Sequence, residues 1–334
     1  MAKVRVGLIG CGGRAGAHMD AIEHMDNVQV VAVCDPVEAR RVKGAERMGA
    51  ERMYKDFNEF FDNESADTVD ALFIAIEPTA HGDCELRAIE RGIPFLVEKP
   101  MTLDLDLGDQ IAQKAAAKNL VTAVGFQDRY LDLINIMKDE LPNHKRGGLV
   151  YGAWIGGIPG VWWWQKKTTC GGQLVEQNIH ILDNLRYLFG EALSIYATNT
   201  TGMVVPGVDA LPEYDTDDHS TAVIRFKNNY TATLVSACYM KDVGATSGIL
   251  VTMPDMVLDY HLRNNLVIKT NMETRDIRRG HEQTHDLDRD FIAAVVAKDP
   301  AMVRSPYADA LISLKLAFAA NESMETGKVI YFDN

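Results

Sequence analysis

The chain has 334 residues, 47% hydrophobic and 24% charged, with a formal net charge of -13 and a pI near 5.1. That length supports a large core, most readily as two domains, and so acidic a balance argues against a nucleic-acid backbone or an anionic membrane as main partner. No apolar run approaches the roughly 18 residues that span a bilayer, and five scattered cysteines (Cys11, Cys34, Cys84, Cys170, Cys238), none in a CxxC pair, argue against a disulfide framework and for a reducing cytoplasm.

The first third alternates strand and helix. Val4–Ile9 is a β-rich run within KVRVGLIG, which starts at Lys3, so no separate charged and apolar leader is expected. GCGGRAGAH and a helical stretch to about His24 follow, then a second run from Val28 to Asp35. The pattern Gly10-x-Gly12-x-x-Ala15 between strand and helix predicts a dinucleotide loop. Gly10 permits the tight turn, Gly12 lets backbone approach a pyrophosphate, and small Ala15 lets helix pack on strand. Backbone N–H groups at the helix start would hold the phosphates. Asp35 lies 20 residues beyond Ala15 at the end of the second strand, where a carboxylate accepts hydrogen bonds from ribose hydroxyls and repels a 2′-phosphate. NAD is therefore expected over NADP, with Arg40 and Arg41 near enough to soften the preference. The plainer alternative makes Asp35 a helix cap before Pro36.

ALFIAI (Ala71 to Ile76) predicts a third core strand, ending at Glu77-Pro78-Thr79 before a helix near His81 to Arg91. Another apolar run, Ile93 to Val97, stops on Glu98-Lys99-Pro100. A helix over Asp104 to Lys118 and a strand over Leu120 to Phe126 complete the series. Alternating strands and helices predict a doubly wound parallel α/β sheet over residues 1–126, with ligands beyond the carboxyl ends of its strands. Lys99 leaves its strand at that edge, and Pro100 keeps it out of the helical region. It is read as a site residue, with a surface salt bridge to Glu98 as the alternative.

Over residues 127–334 the pattern changes. A helix from Asp128 to Glu140 leads into a glycine- and aromatic-rich stretch that includes Trp162-Trp163-Trp164, and a helix starts at Gly172. Strand candidates then follow one another: Ser194 to Asn199, Ser220 to Phe226, Thr231 to Tyr239, Gly248 to Val251, Met256 to His261 and Asn265 to Lys269. A long helix near Pro306 to Thr326 precedes a final KVIYF. Strands without intervening helices predict an α+β domain with a mostly antiparallel sheet. No internal repeat, low-complexity stretch or long linker is visible. Three adjacent indoles cannot all face a core, so at least one is expected to meet a ligand, a subunit or the C–H face of a sugar. HEQTHD (His281 to Asp286) reads as a solvated helix start, and no metal site is expected.

Within CGGQLVEQNIHILDNLRYL, 100° steps place Leu174, Val175, Asn178, Ile179, Ile181, Leu182, Leu185 and Leu188 on one nearly apolar arc. Glu176, Gln177, His180, Asp183 and Asn184 occupy the other. Glu176 and His180, four apart, are neighbours there. Taken alone, a solvated helix face explains the pair equally well.

Taken in order, GLIGCGGRAGAH, VAVCDP, EPTAH, FLVEKPMTL, VGFQDRY, GGQLVEQNIHILD and SPYADALISLKLAFAANESMETGKVI resemble the Gfo/Idh/MocA family over nearly the whole chain. The resemblance implies a Rossmann domain, a substrate domain with a large open sheet, and NAD(P)-dependent oxidation or reduction of sugar or cyclitol carbons. It also implies a homodimer or homotetramer through that sheet. The lysine of the EKP motif falls on Lys99, the helix histidine on His180, and the acid four residues earlier on Glu176. The sequence departs from the family in that Glu176 replaces the usual Asp, Gln173 and Asn178 replace glycines, and Thr79 replaces the Asn after Pro78. Cofactor contacts are expected at Gly10, Gly12, Gly13, Arg14, Ala15, Asp35, Pro36, Arg40, Glu77, Pro78, His81, Glu98 and Gln127. Substrate contacts are expected at Lys99, Arg129, Trp163, Trp164, Glu176 and His180. A lysine of ordinary pKa, about 10.4, is protonated at neutral pH, so a lysine base needs burial or a relay, which His180 could supply. Two other readings stay open. One is transient oxidation, elimination and re-reduction, giving glycoside cleavage. The other is a non-catalytic NAD- or sugar-binding regulator, against which Lys99 with His180 argues.

Overall fold

The computed structural model describes residues 3–141, 147–241, 243 and 245–332. The chain divides into two compact units, Met1–Tyr130 with Glu282–Leu311, and Leu131–His281 with Ile312–Asn334.

In the first unit β1 (Val4–Ile9), α1 (Gly13–Ile22), β2 (Val28–Cys34), α2 (Glu38–Met48), β3 (Arg52–Tyr54), α3 (Phe57–Asn63), β4 (Ala71–Ile74), α4 (Cys84–Glu90), β5 (Phe95–Val97), α5 (Leu105–Ala117) and β6 (Thr122–Val124) follow in turn. The strands are parallel, in the order β3-β2-β1-β4-β5-β6. The order therefore reverses between β1 and β4, where a doubly wound sheet opens its ligand crevice. The near-continuous apolar runs reflect burial of both faces. On one face Val6, Leu8, Phe73 and Leu96 share a core with Ala15 and Met19 of α1. On the other, Gly7 leaves room for the Phe60 ring, which would lie 2.7 Å from a Cβ there.

The second unit contains α6 (Asp132–Glu140), β7 (Gly148–Ile155), α7 (Lys167–Cys170), α8 (Gln173–Glu176), α9 (Ile179–Phe189), β8 (Ala192–Thr200), β9 (His219–Phe226), β10 (Tyr230–Ala237), β11 (Gly248–Thr252), β12 (Met256–His261), β13 (Asn265–Thr270) and β14 (Thr274–Arg278). The chain then passes back to the first unit as α10 (Gln283–Ala297). It ends with α11 (Tyr307–Thr326), within which the boundary at 311/312 falls, and β15 (Ile330–Tyr331). The second sheet runs β14-β13-β12-β11-β7-β10-β9-β8-β15 and is antiparallel except for the β7–β10 pair. Gly152 of β7 faces Ile181 and Leu185 of α9, with a Cβ there 2.9 Å from Ile181, so α9 covers one face of this sheet.

The architecture expected from the sequence is present: a doubly wound α/β sheet and an α+β unit with a large, mostly antiparallel sheet. A division at 126/127 is contiguous in sequence, whereas the compact units are not. The reason is α10, whose Leu287, Phe291, Ile292 and Ala294 are buried in the core of the parallel sheet. The single helix expected from Gly172 is also two. Asn178 (φ -82°, ψ 0°) breaks it, and its side-chain amide donates to Val235 O at 3.1 Å and to Ser236 Oγ at 2.5 Å. Among the described residues no helix is long and apolar enough to cross a membrane.

Candidate active site

The turn after β1 needs glycine for two different reasons. Gly10 has φ +96°, and a Cβ there would lie 2.3 Å from Ala75 O, so only glycine closes the turn. Gly12, the N-cap of α1, carries no side-chain cap, and a Cβ on Gly12 or Gly13 meets nothing within 4 Å. The fold itself does not demand glycine there. What it leaves is an uncapped helix N-terminus facing open space, the arrangement that receives a pyrophosphate. Asp35 is buried at the end of β2. Its Oδ2 accepts the Cys11 N–H at 2.9 Å and its Oδ1 the Val37 N–H at 2.8 Å. Each oxygen retains acceptor capacity for a ribose hydroxyl. Asp35 does not cap α2, whose N-cap is Val37. Arg41 donates to the Asp35 carbonyl at 2.6 Å, while Pro36 and Arg40 are exposed. These residues fit an NAD moiety by an open cradle and by donor chemistry.

At the same sheet edge lies Glu98. The register Ile9↔Ile74↔Val97 puts the ends of β1 and β5 in one row, two strand spacings apart, or roughly 10 Å. Glu98 is buried, and Gly125 makes its room, since a Cβ on Gly125 would lie 2.5 Å from Glu98 Oε1. Arg14 Nε donates to Glu98 Oε1 at 2.7 Å, and Arg14 Nη2 also donates to Gln127 Oε1. His18 Nε2 lies 3.2 Å from the same Glu98 oxygen, and its Nδ1 lies 2.8 Å from Asp288 Oδ2 of α10. The Lys99 N–H donates to Glu98 Oε2 at 3.2 Å. Burial opposes ionisation of Glu98, yet the Arg14 guanidinium and His18 hold its carboxyl well below the usual carboxylate range. Burial likewise opposes a charged His18, but Asp288 and then Glu98 raise it to about 9. Thus three expected cofactor residues, Arg14, Glu98 and Gln127, form one network, with Lys99 half-buried beside it. The Lys99–Pro100 peptide is cis.

The other expected residues are placed differently. Pro78 opens a 3-10 turn, Glu77 accepts from the Thr79 hydroxyl at 3.3 Å, and His81 is buried with Nδ1 on Glu85. Arg129 is buried, bound to the Arg304 carbonyl at 2.8 Å and to Asp309, which gives it a bracing position in the first unit rather than an open one. Of the three indoles, Trp164 is wholly buried in a cluster with Val204, Tyr214 and Cys238, and Trp163 packs against that cluster. Trp162, at 54% exposure, is the indole that faces outward. Trp164, one of the two tryptophans expected to contact substrate, is thus taken up by hydrophobic packing.

His180 lies in the first turn of α9 and is only 5% exposed, its ring stacked on Trp154 at 5.8 Å and 24°. Glu176, at the end of α8, is buried too. The side of this segment that reads as polar is thus not a solvated face: Asp183 and Asn184 are also buried, and Asp183 Oδ1 accepts from Ser313 at 2.6 Å. At His281 to Asp286 the outcome is mixed. His281 and Glu282 are exposed, whereas Gln283, Thr284 and Asp286 are buried. Sequence reasoning missed His18, Asp288 and Trp154. The available signal for the first two was a charged residue on the apolar face of its own helix, between Ala15 and Ile22 and between Leu287 and Phe291. Among the described residues no group of three or more His, Cys, Asp or Glu could hold a metal ion.

A doubly wound unit with an open phosphate cradle, joined to an α+β unit that carries a buried helix histidine, defines the class of two-domain proteins built on a dinucleotide-binding Rossmann fold. Residues 4–126 match the profile of the "Oxidoreductase family, NAD-binding Rossmann fold", and residues 149–246 match the "GFO/IDH/MocA C-terminal domain". The chain belongs to the Gfo/Idh/MocA family. It is similar to the rhizopine catabolism protein MocA of Rhizobium meliloti, 24% identical over 62% of this chain and 64% of that protein. It is also similar to the scyllo-inositol 2-dehydrogenase (NAD(+)) of Bacillus subtilis, 25% identical over 58% of this chain and 56% of that protein. The matches therefore span under two thirds of these relatives' own lengths. A solved levoglucosan dehydrogenase, in complex with NADH and levoglucosan, shares the fold with a TM-score of 0.88 at 18% identity, over 99% of this chain and 100% of that one.

Proposed function

We propose that the protein is an NAD-dependent dehydrogenase acting on a CH–OH group of a sugar, sugar derivative or cyclitol. The observation that carries this reading is one sheet edge holding both an open phosphate cradle at Gly12 and Lys99, whose N–H is held by a buried, ionised Glu98. NAD, when bound, supplies the hydride acceptor. The chain supplies phosphate donors from the start of α1, a ribose acceptor in Asp35, Lys99 and His180 for transfer of the hydroxyl proton, and Glu176 to orient a neighbouring hydroxyl. An anionic Asp35 favours NAD over NADP. The family's inositol and levoglucosan dehydrogenases support a polyol substrate. Five free cysteines support a reducing compartment such as cytoplasm. The uncovered face of the second sheet supports a homo-oligomer.

Lys99→Met tests the reading. It is expected to keep the fold and NAD affinity, because the phosphates are held elsewhere, while turnover falls by about 10² to 10⁴. His180→Ala should fall similarly, and the double variant by less than the product, since both act on one proton. Turnover of Lys99→Met within threefold of the parent, on levoglucosan or myo-inositol with NAD, would overturn it.

A further inference from the structure

We propose that His18 and Asp288 are positioning residues for Lys99, a charged buttress that fixes Glu98 and through it the peptide of Lys99. This rests on the reading of Lys99 as a proton-transfer residue. The Glu98 carboxylate is committed at both oxygens: Oε1 to Arg14 and His18, Oε2 to the Lys99 N–H. His18 in turn is held by Asp288 at 2.8 and 2.9 Å. His18, Glu98 and Asp288 are almost completely buried. Burying an imidazolium between two carboxylates is an expensive way to fill a core, because apolar side chains of similar volume do it at no desolvation cost. What the charges add is direction, since hydrogen bonds at both ends of the ring leave Glu98 one orientation. Arg14, two residues past Gly12, ties the same carboxylate to the first turn of α1. The cofactor cradle and Lys99 are thus fixed to one anion. Small displacements of a reacting group reduce rates steeply. The groups facing His18 are Glu98, Asp288, the Arg14 guanidinium and the Phe73 ring at 5.3 Å.

Two measurements test this. In the protein without added cofactor, carrying ¹³C-labelled lysine, the Lys99 resonance (identified by its loss in Lys99→Met) should show an inflection near pH 9, where His18 loses its proton. His18→Gln should abolish that inflection. In turnover of levoglucosan or myo-inositol with NAD, Asp288→Asn removes the larger of the two carboxylate contributions that keep His18 charged, so less of the ring is protonated at pH 8. Its kcat should be about tenfold to a hundredfold below the parent, with KM and NAD affinity within about threefold. The ratio to the parent should recover as pH falls toward about 6 and the ring regains its proton. His18→Gln should show the loss without the recovery, and it decides the matter if Asp288→Asn does not fold. A Lys99 resonance indifferent to His18→Gln, or kcat of both variants within twofold of the parent at every pH, overturns the proposal. If Lys99→Met itself keeps turnover, the functional reading fails first. If Lys99→Met loses turnover while His18→Gln keeps it, the positioning role alone fails.

Discussion

The Cβ of a valine in place of Gly12 would meet nothing within 4 Å beyond its chain neighbours. Gly12→Val should therefore shift folding stability by no more than about 0.5 kcal/mol, while NAD affinity, read by fluorescence titration, drops at least about a hundredfold as the side chain takes the phosphate's place. Gly10→Ala should do the reverse of that first result. With φ +96° and a carbonyl 2.3 Å from the new Cβ, it should cost more than about 2 kcal/mol in denaturant titration. Asp35→Ser should narrow the preference for NAD over NADP, and a parent protein that prefers NADP would refute the role given to its carboxylate. These residues are legible in the sequence because their work is local: turn, cap and strand end lie within 26 residues, Gly10 to Asp35. His18 and Asp288 are not legible as a pair. They meet across 270 positions, and the local signal, a charged residue on the apolar face of its own helix, does not name its partner.

Helices α1 and α10 meet around that pair, which gives the first unit a pH signature. His18 rises from its ordinary 6.5 to about 9 in the folded chain, so its contribution to stability is complete below 6.5 and disappears as pH rises through 9. Glu98 is depressed, so its contribution is complete above its ordinary value, about 4.3, and is lost as pH falls below that. From these two groups Tm should be highest between about pH 4.5 and 6.5 and decline toward 9. His18→Gln should flatten the alkaline decline in a calorimetric series. Packing is the other half of the contact: Phe291 meets Phe73 edge to face at 5.4 Å, and Phe291→Ala should cost about 3 to 5 kcal/mol. Helix periodicity finds α9 but not its break from α8. The side chain responsible, Asn178, bonds to β10 57 residues later, a competition that no local window contains.

In the second sheet a row of side chains, Leu250, Tyr151, Thr233, Val223 and Tyr196, crosses five strands on the face opposite α9. Tyr151 and Val223 are about 40% exposed and nearby Leu149 is 61% exposed. An exposed apolar patch of this kind is the surface through which the proposed homo-oligomer would form. The protein should scatter light as a multiple of its 37.0 kDa chain mass, and Tyr151→Glu with Val223→Lys should reduce it to one chain. A parent mass of one chain at micromolar concentration would remove this face from consideration. Most of these strands can be read from the sequence. The parallel β7–β10 pair cannot, since it joins residues some 80 positions apart through backbone bonds that any side chains permit.

The return of α10 also sets a timetable. On the ribosome, residue 130 emerges with all six strands of the parallel sheet already made, yet Leu287, Phe291 and Ile292 are about 150 residues behind. At about 5 to 20 residues per second that is roughly 10 to 30 s, during which one face of the nascent sheet lacks its last helix. His18 and Glu98 wait equally long for Asp288. The first unit to begin synthesis is therefore complete only at residue 311, after most of the second has been made, and a nascent chain halted at residue 130 is a ready client for chaperones.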